Sequence, residues 1–539
     1  MDNDSTRTLS RSSLSFLSGT LISRLTGGIR DMAMAFCFGS SSALAAFMVA
    51  YRFASLARRL FGESPIASGF VPHFEDLKTQ SAHSAARFFR DTLLMLVFFL
   101  LLVIGLTEVV LWMVYQYVPL QESTKEVLYL CLIMLPGVLF ICLFGLSSAL
   151  LQCEKMFFLS GLAPVAFNIV WIIAVFYFRK APASAAAVGL SLSMLVAFFC
   201  HWAILLPKIL KYIITSLPIK KILSGPFFTE DVKKMIKPFF LGTLGVGAVQ
   251  INSAFDALFA RYASLEGPAY LWYAIRIQQV PVGIFGVAMA SALLPLLSKA
   301  ATLHDRAEYK RCLIYGMKKS GSLLVPAAIA LFVLGCSGVN LVYGRGGFTS
   351  VATSETVLCL WGYAIGLLPS VGVMLLAPAF YAQKKFRTPT LAATISVLFN
   401  ILLNYLFVIE WGWGALSVAL STSIAAFINF FALSFTLRKD IGPFLSEVLR
   451  SSIGTVICTA AAGITTFCIG NFFISDPTLF LLQGQIDLVF ARDLSSQLLT
   501  MSVLTGFFLL TLFSYAWIGN VEDLLNLIKI KKRVVQNPL

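Results

Sequence analysis

Apolar segments of roughly 20 residues, enough to cross about 30 Å of hydrocarbon, recur along the whole chain. Fourteen stand near 12–38, 43–70, 91–118, 127–151, 158–178, 184–206, 236–262, 268–297, 313–343, 355–382, 389–408, 414–437, 452–474 and 496–518. Short polar connections separate most of them. The pattern predicts an all-α polytopic membrane protein with 14 transmembrane helices. The arginines of three segments stand out against this pattern. The first holds Arg24, Arg30 and Asp31 inside "SRLTGGIRD"; the second holds Arg52, Arg58, Arg59 and Glu63; the eighth holds Arg276.

The placement of lysine and arginine tests the count, because cytoplasmic connections carry the excess. With a cytoplasmic N-terminus, 29 of the 41 basic residues fall on the tails and on the connections after even-numbered spans, with their adjoining span ends. Only Lys125, Arg179, Lys180, Arg345 and Arg492 fall on the other side. Both termini are therefore expected in the cytoplasm.

Composition agrees. Of 539 residues, 58% are hydrophobic and 12% charged, where soluble chains carry about 25% charged residues; mean hydropathy is +0.84. The net charge of +15 reads first as an orientation signal. The run Lys208, Lys211, Lys220, Lys221, Lys233, Lys234 and Lys237 is also suited to anionic membrane lipid. Basic residues outside the spans are not interleaved with aromatics, so no nucleic-acid partner is expected. No cleavable signal peptide is expected either: the first apolar segment is too long, charged, and without an A-x-A exit.

Ten scattered cysteines form no C-x-x-C, and the four histidines have no catalytic Ser or Cys partner. No metalloprotease, nucleophile-elbow or Walker sequence occurs. Enzyme classes recede, and neither a resident cofactor nor a disulfide framework is expected.

The chain repeats itself. "AYRFASLARRLFGESPIASGFVP" (50–72) parallels "AIRIQQVPVGIFGVAMASALLP" (274–295): Ala50, Arg52, Phe61 and Gly62 match Ala274, Arg276, Phe285 and Gly286 at a constant offset of 224. Asp31 pairs with Asp256 at offset 225, and Asn168 with Asn400 at 232. Six spans separate the copies. An even number keeps them parallel, related by an axis along the membrane normal. The expected layout is two parallel six-helix lobes plus two C-terminal helices: 1–206 as N-lobe, 207–235 as basic linker, 236–437 as C-lobe, and 438–539 for the last two spans and tail.

Intramembrane charge is costly and marks function by default. Arg24, Gly27 and Asp31 fall near one helical stripe, with Arg30 about 120° away. That spacing allows Arg24 to pair with Asp31 but leaves Arg30 without a role. Arg59 and Glu63 are four apart and suited to mutual neutralisation. Arg276 has no local acid. In spans one, two and eight, six arginines face two acids. This surplus implies an anionic ligand in a watery cavity between the lobes. All six are Arg, whose fork grips phosphate in a way ammonium does not. Asp256, Asn400 and Asn404, with Ser421 or Thr422 nearby, offer oxygen ligands to a hard cation; polar glue between helices is the other reading.

"SRLTGGIRD", "AFMVAYRFASLARRLFGES", "GFVPHF", "AIRIQQVPVGIFGVAMASALLPLLSK", "YGRGGFT" and "LAPAFYAQKKFRTP" resemble the MurJ (MviN) family of the multidrug/oligosaccharidyl-lipid/polysaccharide exporter superfamily over nearly the whole chain. The resemblance implies a flippase for lipid II, the undecaprenyl-diphosphate-linked peptidoglycan precursor. It implies a multi-pass protein of the bacterial cytoplasmic membrane, monomeric and in the company of cell-wall synthesis or division machinery. Arg24, Arg30, Arg52, Arg59 and Arg276 match the arginines of a cationic cavity for the diphosphate, with Arg58 at a further basic position. Ser23, Asp31 and Glu63 are expected to serve gating or coupling. Asp256, Asn400 and Asn404 fall where some members resemble a sodium site, with an aspartate at the position of Asn404. Many members also carry aspartates where this chain has Ala45 and Ile275, so its cavity is more positive. Flippases for other polyprenyl-diphosphate glycans and multidrug antiporters share the architecture. An antiporter for cations needs an acidic cavity, and a lipid-phosphate enzyme needs acids or His clustered with Arg at one membrane face.

Overall fold

The structure, a computed structural model, describes residues 3–62, 64–218, 226, 228–470 and 493–528. Glu63, Lys220, Lys221, Arg492 and the lysines and arginine beyond residue 528 lie outside the described residues. The described elements are helical throughout. In chain order they are α1 (Asn3–Phe38), α2 (Ser42–Phe61), α3 (Ser64–Gln80), α4 (Ala82–Tyr117), α5 (Glu122–Met134), α6 (Gly137–Cys153), α7 (Phe157–Phe178), α8 (Ala183–Ala203), α9 (Leu206–Ser216) and α10 (Glu230–Ala263). Then come α11 (Gly267–Pro281), a π-helical turn (Val282–Gly286), α12 (Val287–Thr302), α13 (Arg306–Val333), α14 (Gly335–Tyr343), α15 (Ser350–Ile365), α16 (Leu367–Ala382) and α17 (Arg387–Asn404). A second π-helical turn (Tyr405–Glu410) leads to α18 (Leu416–Ile441), α19 (Leu445–Ile469), α20 (Leu494–Ile518) and α21 (Glu522–Ile528).

Among the described residues, nine helices are long and apolar enough to cross a membrane, or up to eleven if α5–α6 and α15–α16, bent by 48° and 42°, each count as one span. This is a multi-pass membrane protein. The expected spans outside that number are α1, α2 with α3, and α10. Polar residues explain it: Arg24, Arg30 and Asp31 sit in α1, Arg52, Arg58 and Arg59 in α2, and Gln250, Asn252 and Asp256 in α10. Apolar length alone therefore does not reach fourteen. The segment 43–70 is also not one continuous helix; it breaks after Phe61 at Gly62.

The chain forms two compact units, Met1–Arg261 and Tyr262–Leu539. In the first, α1 runs along α7 and α7 along α8. Without a hydrophobic drive between helices in lipid, close packing falls to small residues. A Cβ on Gly19 would stand 3.0 Å from the backbone of Gly161, so only glycine lets α1 approach α7 there. Beside them Trp171 packs edge-on to Phe47, Tyr51 and Phe167, with centroids 5.5, 4.9 and 5.5 Å apart. The break at Gly62 is seated on α6, since a Cβ on Gly145 would meet the Gly62 carbonyl carbon at 2.7 Å.

In the second unit, α12, α13 and α16 enclose a core of Leu293, Leu297, Leu313, Leu324, Val371 and Phe380. Gly362 of α15 and Gly366, which follows it, stand four apart and admit α18. A Cβ on Gly362 would lie 2.8 Å from Ala419 Cβ, and the Ser423 hydroxyl donates to the Gly362 carbonyl at 2.6 Å. The two helices beyond the repeat, α19 and α20, pack on each other, and α19 runs along α13.

The Gly62–Gly145 contact yields a prediction. Gly145→Val should destabilise the protein by about 1–3 kcal/mol through overpacking, read as a lower midpoint of thermal unfolding in detergent. Gly28→Ala, with nothing within 4 Å of its added Cβ, should leave the midpoint unchanged or higher.

Candidate functional site

On a helix, neighbouring residues point about 100° apart. Arg30 and Asp31 nonetheless meet, because the long arginine side chain swings around α1. Its Nε and Nη2 donate to Asp31 Oδ1 at 3.0 and 2.7 Å. Nη1 donates to Asn168 Oδ1 at 3.1 Å. The guanidinium carbon lies 4.3 Å from the Trp171 ring centroid. Both charges are buried, at 6% and 4% exposure. Such a pair repays desolvation only with good geometry and further hydrogen bonds, and α7 supplies these. The Asn168 amide then donates back to the Ser23 carbonyl at 3.1 Å and to Thr26 Oγ1 at 2.9 Å. A closed polar circuit thus ties three successive turns of α1 to α7.

Asp31 is therefore the counter-charge of Arg30 and not of Arg24. Arg24 is exposed, and among the described residues no carboxylate is paired with it. A Cβ on Gly27 would meet the Asn168 amide at 3.7 Å, an ordinary van der Waals distance, so the circuit does not itself require glycine there.

The arginine face of α2 runs antiparallel along α10. Arg52 Nη1 donates to Ser253 Oγ at 2.6 Å and Arg59 Nη1 to Gln250 Oε1 at 2.8 Å. Thr243 Oγ1 donates to the Leu60 carbonyl at 3.0 Å. Ser253 and Gln250 are a neutral hydroxyl and amide that orient these guanidiniums. Arg52 and Arg58 are half-buried and Arg59 is exposed. The expected Arg59–Glu63 pair lies outside the described residues. On the same α10, Asn252 Nδ2 donates to Asp256 Oδ2 at 3.2 Å, and Arg261 reaches Glu126 at 3.0 Å and the Ser42 carbonyl at 2.7 Å.

In the second unit, Arg276 stands half-buried on α11 with its guanidinium carbon 4.5 Å from the ring centroid of Trp272, one turn earlier. A guanidinium over an indole face is held by cation–π attraction. The π-helical turn at Val282–Gly286 follows Arg276 closely; such turns recur at functional sites. Asn400 and Asn404 are fully buried on α17, ahead of the second π-helical turn. Ser421 and Thr422 donate to carbonyls of their own helix, at Ser417 and Val418, both at 3.0 Å. Asp256 belongs to the other unit.

Sequence reasoning missed Asn168 and Trp171 as site residues, along with Ser253, Gln250 and Trp272. Asn168 carried a signal, being an amide in an apolar span that recurs as Asn400. Trp272 carried another in its i,i+4 spacing from Arg276.

The family model described as lipid II flippase MurJ matches residues 34–482. The chain belongs to that family. A probable lipid II flippase MurJ of Chlamydia pneumoniae is 31% identical over 529 residues, covering 97% of this chain and 95% of the relative. The lipid II flippase MurJ of Burkholderia cenocepacia is 28% identical over 475 residues, covering 84% and 89%. Among solved structures, a lipid II flippase MurJ in an inward closed conformation aligns with a TM-score of 0.74 over 95% of this chain and 99% of that chain, at 24% identity. An inward-facing multidrug resistance transporter of the MATE family, in the MOP superfamily, aligns at 0.63 over 81% of this chain and 99% of that one, at 14% identity. These likenesses show a shared transporter fold. The family match begins at Met34, so the circuit around Arg30 lies just ahead of it.

The buried pair makes a sharp prediction. Asp31→Ala leaves Arg30 uncompensated and should cost about 3–5 kcal/mol, seen as loss of folded protein or a large drop in unfolding midpoint. Arg30→Met combined with Asp31→Leu should cost clearly less than the two single losses summed, giving a coupling energy in a double-mutant cycle.

Proposed function

We propose that this protein flips lipid II from the inner to the outer leaflet of the bacterial cytoplasmic membrane by alternating access, with both termini in the cytoplasm. Family membership over 34–482 is the observation that carries this reading. The side-chain chemistry supports it. Arg24, Arg52 and Arg59 of the first unit and Arg276 of the second are the guanidiniums we assign to the diphosphate. Ser253 and Gln250 hold Arg52 and Arg59 through hydrogen bonds, and Trp272 backs Arg276, so these guanidiniums are positioned by the fold. Forked donors match phosphate oxygens.

Arg30 enters differently. Its donors are engaged by Asp31 and Asn168, so we assign it, with Asp31 and Ser23, to holding the turn of α1 that presents Arg24. Transport of this kind breaks no covalent bond and needs no catalytic residue. Membrane potential supplies about 2.3 kcal/mol per charge per 100 mV, enough to bias a cycle that carries an anion.

The test is replacement of the resident flippase. In a bacterium depleted of its own enzyme, this chain should restore exposure of lipid II on the outer leaflet. Arg24→Ala and Arg276→Ala should each reduce that exposure to the depleted level at unchanged protein abundance. Full rescue by both variants would overturn the site assignment; no rescue by the abundant, inserted parent chain would overturn the function.

A further inference from the structure

A second site lies in the first unit, away from the arginines. A cavity of about 170 Å³ is enclosed by α3, α4, the start of α10 and Phe228. Ile66, Leu96, Phe99, Ile236 and Phe239 supply its walls, and no polar surface faces the space. It is not sealed: Phe228 and Phe240, at its rim, are 52% and 53% exposed. Apolar cavities of about 150 Å³ stay dry and accept hydrocarbon.

The rim is charged in an ordered way. Lys233, Ile236, Lys237 and Phe240 follow i, i+3, i+4, i+7 and so share one stripe of α10. Ile236 and Phe240 line the cavity while both lysines are exposed. Lys233 Nζ sits 5.6 Å from the Phe228 ring centroid. Glu230 engages Lys233 at 2.7 Å, and Asp231 engages both Lys234 and His73 at 3.4 Å. No acid is recorded against Lys237 among the described residues. Next to this, α9 packs on α4 and α8. It buries Ile209 and Ile213 while exposing Leu210 and Ile214 beside Lys208 and Lys211. An apolar edge flanked by lysines is the signature of a helix lying in the headgroup plane.

We infer that this cavity holds one acyl chain of an anionic phospholipid from the cytoplasmic leaflet, with its phosphate at Lys237 and Lys233. Charge complementarity selects the headgroup: the lysine-rich side is the one that the basic-residue bias assigns to the cytoplasm, where anionic lipid draws juxtamembrane lysines. The lining selects a hydrocarbon chain, since no polar surface faces the space; at the α3–α10 crossing a Cβ on Gly69 would stand 2.8 Å from Cγ of Met235, a lining residue, so glycine lets the two helices close there. Lysine, a point charge on a flexible stem, suits a mobile phosphodiester, in contrast to the arginine forks assigned above. The inference does not depend on which lipid is transported.

Native mass spectrometry of the delipidated full-length protein tests it, with phosphatidylglycerol, phosphatidylethanolamine and undecaprenyl diphosphate each offered alone. A phosphatidylglycerol carrying a diazirine on its acyl chain then locates the site. Labelling is expected within 92–99 and 228–240. Ile236→Trp, which fills the cavity, should cut retained phosphatidylglycerol about tenfold, on the scale of overpacking a filled space. Lys237→Glu should lower the preference for phosphatidylglycerol over phosphatidylethanolamine at least about fivefold, the worth of one juxtamembrane lysine. Both variants must keep the parent unfolding midpoint; where Ile236→Trp does not, Leu96→Phe takes its place. Equal retention by filled and parent proteins, labelling confined to other helices, or retention of undecaprenyl diphosphate in place of phosphatidylglycerol would each overturn the proposal.

Discussion

A guanidinium buried between two helices needs a carboxylate, further acceptors and a surface to lie on, and in the first unit all three reach Arg30. Asp31 supplies the charge, Asn168 the acceptor, and the Trp171 ring the surface, 4.3 Å away. The arrangement fixes more than one side chain. Asn168 bonds three points of α1, at Ser23, Thr26 and Arg30, so it sets the rotation of α1 against α7. Gly19 against Gly161 sets their separation. With rotation and distance both specified, the azimuth of Arg24, two turns before Asp31, is no longer adjustable. The cost of burying one ion pair thereby becomes the means of presenting another charge.

Much of this was legible before any coordinates. Each of the fourteen apolar segments contains a helix or a broken helix, because apolar length is a strong signal. The breaks were not. Gly62, Leu135–Pro136 and Leu334 interrupt helices inside apolar runs, and a run of hydrophobic residues carries little angular information. The Gly62 break depends on a contact with Gly145, some eighty residues away, which no local pattern encodes.

The site divides along the same line. That charged residues in spans one, two and eight mattered followed from composition alone. Who pairs with whom did not, because helical-wheel angles describe Cβ directions and an arginine head group travels far beyond its Cβ. Arg30, about 120° off the Arg24–Asp31 stripe, reaches the acid that Arg24 does not. The neutral partners of Arg52 and Arg59, Ser253 and Gln250, lie some two hundred residues on and are common residue types. Nothing in their immediate sequence distinguishes them.

The helices too polar to count as spans by apolar length, α1, α2 with α3, and α10, all fall in the first unit apart from the last turn of α10. A helix bearing two or three charges is poorly stable alone in hydrocarbon, where each charge costs about 2.5–3.5 kcal/mol on insertion scales. Its stability must come from partners: α7 for α1, and for α2 the packed faces of α5, α8 and α6, with α10 bonding its arginines. In the second unit, Arg276 is the one charge of its α11 and leans on a tryptophan of the same helix. Repeated sequence has thus been put to unequal use. In the first unit the arginines of α1 and α2 are held by polar bonds to other helices, and in the second Arg276 is backed by a ring of its own helix.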